Sequence, residues 1–145
     1  MNTVTVTHHF TASPERVFDA WLDPQTAGKW LFATPTGQMV RVEIDARVGG
    51  LFVLVDRRNG GEVEHTGEYL VIDRPRRLVF TFGVPKYSPL FTEVTIDIAP
   101  SASGCDLTLT HTGVLNEYAE STVKGWNGIL DRLDHQIAGS SLPNK

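Results

Sequence analysis

Apolar and polar residues alternate along much of the chain up to Thr112, and beyond Asn116 the apolar spacing changes to three and four. Over 116–138, Trp126, Ile129, Leu130, Leu133 and Ile137 share one stripe at 100° per residue, with Lys124, Asn127, Asp131, Asp134 and His135 opposite. The spacing predicts a helix with one buried face, about 34 Å long. Gly125 and Gly128 flank Trp126, and each lowers helix propensity by about 1 kcal/mol relative to Ala. They read as room for that tryptophan, or for small adjustments of the helix, where Trp126 projects toward whatever the helix covers.

The earlier segments supply what it covers. Over 3–10, Val4, Val6, His8 and Phe10 alternate with threonines and His9, a half-buried strand. Ser13 then caps a short helix with Pro14 at its first position and Glu15 near the positive end of the dipole. Val17, Phe18, Trp21 and Leu22 form its apolar face, and Asp23-Pro24 ends it. A second short helix is expected over 24–30, running into Trp30-Leu31-Phe32. Strands are read around Val40, Val42 and Ile44, then over 51–56, 67–73, 78–82, 93–99 and 105–112. Gly49-Gly50, Arg58-Asn59-Gly60-Gly61, Asp73-Arg74-Pro75 and residues 100–104 supply the turns, and 83–89 a loop.

Consecutive strands with short connections pair antiparallel, and such a sheet needs one face covered. Only the long helix is large enough to cover it. The expected class is therefore α+β: a curved antiparallel sheet of about seven strands wrapped around a long C-terminal helix, with two short helices after the first strand. One domain over 1–139 and a C-terminal tail over 140–145 are expected.

Composition narrows the function classes. The 145 residues, 41% hydrophobic and 21% charged, can bury a core without metal or disulfide staples. A net charge of −4 argues against a basic nucleic-acid surface; Arg74-Pro75-Arg76-Arg77 reads as a solvated turn. No apolar run reaches the roughly 18 residues of a membrane span, and the first residues lack a basic-then-apolar leader pattern. The single Cys105 excludes an internal disulfide and fits a reducing compartment, so a cytoplasmic protein is expected.

The order of elements resembles the helix-grip fold of the SRPBCC (START and birch-pollen-allergen-like) superfamily. Local motifs resemble its branch named for the activator of the heat-shock-protein-90 ATPase. They are the run from Phe10 to Trp21 with Asp23-Pro24, then Lys29-Trp30, Val48-Gly49-Gly50-Leu51-Phe52, Gly67-Glu68-Tyr69-Leu70, the run from Arg74 to Thr81, Leu107-Thr108-Leu109-Thr110-His111, and Gly125-Trp126. The chain departs from the branch at Leu31, where a second tryptophan is common, and at Gly104-Cys105, where Gly-Thr is favoured. The resemblance implies a cavity between sheet and helix that holds apolar molecules. It implies no single activity, since members of the superfamily bind, catalyse or act as co-chaperones.

The expected ligand-binding set is Phe52, Leu54, Tyr69, Leu78, Phe80, Phe82, Val94, Ile96, Leu107, Leu109 and His111 from the strands, and Trp126, Ile129, Leu130 and Leu133 from the helix, with Trp30, Leu31 and Phe32 near one mouth. The same residues could instead fill a solid core. His111 shares inward parity with Leu107 and Leu109 and is either a satisfied structural histidine or a general base. Tyr69 is the other weak catalytic candidate. His8 is read as inward-facing, and His9 and His65 as surface. No metal site, cofactor, nucleophile elbow or phosphate loop is expected.

Three functions stay open. One is a carrier, sensor or sequestering protein for an apolar or aromatic small molecule. The second is a cyclase, dehydratase or hydrolase using the same pocket. The third is a co-chaperone-like interaction module. The partners expected are an apolar small-molecule ligand, with a homodimer or a chaperone admitted, and neither nucleic acid nor membrane.

Overall fold

A computed structural model describes residues 2–32, 37–58 and 61–141. β1 (Asn2–Phe10) is followed by α1 (Pro14–Ala20) and α2 (Ala27–Trp30). Then come β2 (Gln38–Ile44), β3 (Leu51–Arg58), β4 (Gly61–Asp73), β5 (Arg77–Phe82), β6 (Thr92–Ser101) and β7 (Gly104–Val114). A single 3-10 turn over Asn116–Tyr118 leads into α3 (Ala119–Ser141). The seven strands form one antiparallel sheet in the order β1-β7-β6-β5-β4-β3-β2.

This order makes the first strand a neighbour of the last, so the chain must cross to the far edge before β2 can begin. α1 and α2 make that crossing. The Ser13 hydroxyl accepts the Arg16 N–H at 3.2 Å, with Pro14 at the first helical position, as the motif requires. α2 starts at Ala27, later than read, because the Asp23 carboxylate takes the Gln25 N–H at 2.9 Å and the Thr26 hydroxyl at 3.1 Å and winds the preceding residues into turns.

Two boundaries correct the sequence reading. β4 begins at Gly61, well before the expected start at Gly67, because residues 61–68 pair in register with 51–58 of β3. The stretch escaped notice because Val63 is its only aliphatic residue. The Asn59-Gly60 turn lies outside the described residues, but Arg58 and Gly61 pair across it. α3 runs on to Ser141, past the helix end read at Ala138. Among the described residues, no helix is long and apolar enough to cross a membrane.

The long β4 bends where it changes partners. Residues up to Glu68 pair with β3, those from Tyr69 pair with β5, and the Thr66 N–H donates to the Gly83 carbonyl at 3.0 Å. Gly67 sits at this bend. A Cβ there would stand 1.7 Å from the Thr81 carbonyl oxygen and 2.7 Å from the Phe52 ring. The curvature that wraps the sheet around α3 thus needs a residue without a side chain.

The five stripe residues of α3, Trp126, Ile129, Leu130, Leu133 and Ile137, are all buried, each contributing about 1.5–3 kcal/mol. The C-terminal half of the helix is also tied by side chains. His8 on β1 reaches Asp134 at 2.9 Å, Arg16 on α1 donates to the Ile137 carbonyl at 3.1 Å, and Arg132 Nε donates to the Trp30 carbonyl at 3.3 Å. The N-terminal half borders open space. Gly125 is the sharpest sign of this, because a Cβ there would meet nothing within 4 Å. No other element among the described residues therefore packs closely against this glycine.

The two glycines predict opposite outcomes. Gly67→Ala forces the strand off the Thr81 carbonyl and should lower unfolding free energy by about 3 kcal/mol. Gly125→Ala relieves only a propensity cost and should raise it by about 0.5–1 kcal/mol. Urea unfolding followed by circular dichroism measures both. A neutral Gly67→Ala would mean that the bend does not depend on the glycine.

Candidate functional site

The expected binding residues divide into three groups. Trp30, Leu54, Val94, Ile96, Leu107, Leu109, Leu130 and Leu133 are completely buried and fill the space between sheet and helix. Leu31, Phe32, Phe52, Tyr69, Leu78 and Phe80, with Trp21, close around a void of about 10 Å³, too small for any ligand larger than water. Phe32, Phe82, His111, Trp126 and Ile129 line a trough of about 290 Å³ together with His65, Val84, Thr122, Gly125 and Arg132. The trough continues into a wider groove of about 620 Å³, sharing Phe82, Val84, His111 and Thr122 with it and bounded outside by Tyr87, Leu90, Leu115 and Tyr118. Core and cavity therefore coexist: the middle of the molecule is solid, and the space lies beside the N-terminal half of α3.

His111 fixes that half of the helix to the sheet. Its Nδ1 accepts the Trp126 indole N–H at 3.0 Å, and its Nε2 lies 2.6 Å from Thr92 Oγ1. An indole nitrogen can only donate, so Nδ1 carries the lone pair and Nε2 the proton. Nε2–H then donates to Thr92, whose hydroxyl donates to the Phe82 carbonyl at 3.1 Å. This relay links α3 to β7, β6 and β5 and leaves neither ring nitrogen free for proton transfer. Burial pushes the His111 imidazolium down to about 4, which keeps the ring in the neutral form that the indole requires.

His65 corrects the sequence reading, which placed it at the surface. In the extended β4 it takes the same parity as Val63, Gly67 and Tyr69, and it is 7% exposed. The parity argument would have found it had the strand been extended past Gly67. Its ring lies parallel to Phe32, with centroids 4.7 Å apart and planes within 5°, and Phe32 in turn stacks on Phe82 at 5.0 Å. Nδ1 lies 3.2 Å from the Leu54 carbonyl, which makes it the donor and leaves Nε2 as an acceptor on a ring lining the trough. Burial, with Arg58 nearby, outweighs the Leu54 bond and Asp56 and brings its pKa to about 4.

Phe32 holds a backbone conformation that aromatic residues seldom adopt, with φ at +58°. Such a conformation costs on the order of 1–3 kcal/mol. Its ring contacts with His65, Phe82, Phe52 and Trp126 offset that cost.

The remaining candidates lie elsewhere. Tyr69 faces the small void, and its phenol is pushed above its ordinary range by burial and by Asp45. His111 stands opposite Val4 and His8 opposite Leu107, so the two imidazoles are well separated along neighbouring strands, and His8 turns to Asp134 and Asp131. Among the described residues, no group of His, Cys, Asp and Glu is placed to hold a metal ion. Sequence parity also missed Gly125 and Arg132, which lie at the edge of the buried stripe. With Thr122, Trp126 and Ile129 they follow a spacing of three and four along one side of α3.

The two neutral imidazoles set a pH dependence. The unfolded chain protonates at both below about 6.5, whereas the fold resists protonation until about 4. Unfolded protein thus binds more protons in this window. Stability is complete above pH 6.5 and falls as pH drops toward 4, by up to about 1.4 kcal/mol per pH unit for each histidine. Urea midpoints taken between pH 7 and pH 5 should show this slope, and His111→Gln should remove about half of it. A flat wild-type profile would contradict the assignment.

The comparisons with known proteins agree with this architecture. The family model described as Activator of Hsp90 ATPase homolog 1-like protein matches residues 11–138. A crystal structure of a protein from Chromobacterium violaceum is 30% identical, covers 93% of this chain and 96% of its own, and superposes with a TM-score of 0.85. One from Rhizobium loti is 28% identical over 92% of this chain and 95% of its own, with a TM-score of 0.74. The solution structure of an AHSA1-like protein from Aeromonas hydrophila, 22% identical over 99% and 97%, shares the fold at a TM-score of 0.82. A search of curated proteins found no match. On the family match and the 30% identity, this chain belongs to the family of Activator of Hsp90 ATPase homolog 1-like proteins, an SRPBCC-type family with the helix-grip fold.

Proposed function

We propose that the protein binds an apolar or aromatic small molecule in the trough beside α3, as a carrier, sensor or sequestering protein of the cytoplasm. The observation that carries this reading is the trough itself. It opens to solvent, is walled by Phe32, Phe82, Trp126 and Ile129, and has a size within the range of small-molecule sites. Catalysis is less well supported, because both nitrogens of His111 are engaged and Tyr69 faces the interior.

A second reading has its own support. Tyr87, Leu90, Phe91, Leu115 and Tyr118 are more than two-fifths exposed in a region that includes the mouth of the groove. A protein partner such as a chaperone could rest on that apolar rim.

Gly125→Phe separates the two readings. The new ring enters open space and fills the inner trough while leaving the rim intact. For the small-molecule reading, native mass spectrometry of wild-type protein from its own cells should show a stoichiometric adduct. The Gly125→Phe variant, with an unchanged unfolding midpoint, should show the apo mass. Apo mass for the wild type, or an adduct kept equally by the variant, would overturn binding in the trough.

A further inference from the structure

We infer that the ligand is an amphipathic organic acid whose apolar or aromatic body lies against Phe82 and Trp126 and whose carboxylate sits on the guanidinium of Arg132. This inference rests on the small-molecule reading and specifies its ligand class.

The charges lining the trough are the first ground. Among the described residues, neither the inner trough nor the outer groove is lined by an Asp, Glu or Lys, and Arg132 is the one ionised side chain that lines them. The protein as a whole carries a net charge of −4, so this positive site is set against the general sign of the molecule. An uncharged ligand would leave that charge beside apolar walls without a bound carboxylate, whereas an acid would neutralise it.

The second ground is that Arg132 lacks what other arginines of this chain possess. Arg41, Arg57, Arg58, Arg74 and Arg77 each hold a carboxylate at 2.7 to 3.2 Å. Among the described residues, Arg132 holds none. Of its acidic neighbours on the helix, Asp134 bonds His8 on β1 at 2.9 Å, and Asp131 lies 3.9 Å from His8 and acts on Arg132 by charge without a direct bond. Its surroundings also cost it hydration, since burial shifts its pKa below the ordinary arginine value.

The third ground is positioning. Nε is occupied by the Trp30 carbonyl at 3.3 Å, which anchors the base of the fork and leaves the two terminal nitrogens. Nη1 lies along the helix at Gly128, 3.6 Å from where a Cβ would stand. A guanidinium held in this way presents paired N–H groups suited to bidentate recognition of a carboxylate and gives up little side-chain freedom on binding.

Calorimetric titration with 2-naphthoate and with its neutral amide, 2-naphthamide, tests the inference. The two probes share a ring system and differ in charge. Wild-type protein should bind the acid more tightly by about tenfold or more, the usual scale of a hydrogen-bonded charge pair. In Arg132→Met the ratio of the two affinities should fall to near one, and in Arg132→Lys part of the preference should return. Circular dichroism and the unfolding midpoint establish that each variant is folded. Should Arg132→Met not fold, Arg132→Gln takes its place. Equal affinities for the two probes in the wild type would overturn the acid inference and leave the trough as a neutral binding site. A preference that survives in Arg132→Met would overturn the role of Arg132. Failure of both probes to bind would overturn the inference together with the small-molecule reading.

Discussion

The chain of hydrogen bonds from the Trp126 indole through His111 and Thr92 to the Phe82 carbonyl sets how far the N-terminal half of α3 stands from the sheet. Each member is directional and each has one way of being satisfied, so the spacing it imposes is narrow. Apolar packing alone tolerates sliding of the helix, because dispersion and burial have no preferred direction. Among the described residues, the buried indoles of Trp21 and Trp30 find no partner for their N–H groups, at about 1–3 kcal/mol each. Trp126, where the helix leaves the sheet, has the partner that the other two lack. That placement matches a need for position more than a need for stability.

The fastening of α3 is uneven, and the trough follows from this. His8, Arg16 and the Trp30 carbonyl hold the helix between Arg132 and Ile137, and the side chains beneath that half are packed solid. Gly125 has no side chain, and among the described residues nothing lies within 4 Å of where a Cβ would stand, so it lines the trough. At Gly67 the backbone lies close to the Thr81 carbonyl and the Phe52 ring, and Phe32 stacks on His65 and Phe82. The aromatic wall is thus assembled from the end of α2, from β4 and from β5, and the helix supplies the facing side.

Sequence periodicity made the architecture legible because strand and helix patterns persist over many residues and the connections are short. The five-residue stripe of α3, the inward parity of His111 and the cap at Ser13 can each be read without coordinates. Depth was not legible. Alternation says which side chains face inward, but Leu54 and Phe82 carry the same signal, and only the bend of the sheet decides that one fills the core and the other lines a trough. His65 was misread for a different reason: the first half of β4 owes its strand state to pairing with β3, a long-range cause that weak local hydrophobicity conceals. Arg132 was not singled out because what distinguishes it, a carbonyl partner but no carboxylate partner among the described residues, is recorded by no linear pattern.

Two neutral imidazoles and one cation give the trough its chemical character. A general base needs a lone pair near the substrate and a pKa near the working pH. His111 has neither, since the indole occupies its lone pair and its pKa lies near 4. His65 keeps a lone pair but is too weak a base at neutral pH to draw protons effectively, and its ring is fixed against Phe32. Such a ring can still accept a hydrogen bond from a hydroxyl or N–H group without ionising. The trough is thus better suited to recognition than to reaction: in the proposed binding role, apolar faces would supply affinity, the His65 acceptor and the Arg132 cation would supply orientation, and the relay through His111 would keep the walls at a fixed separation.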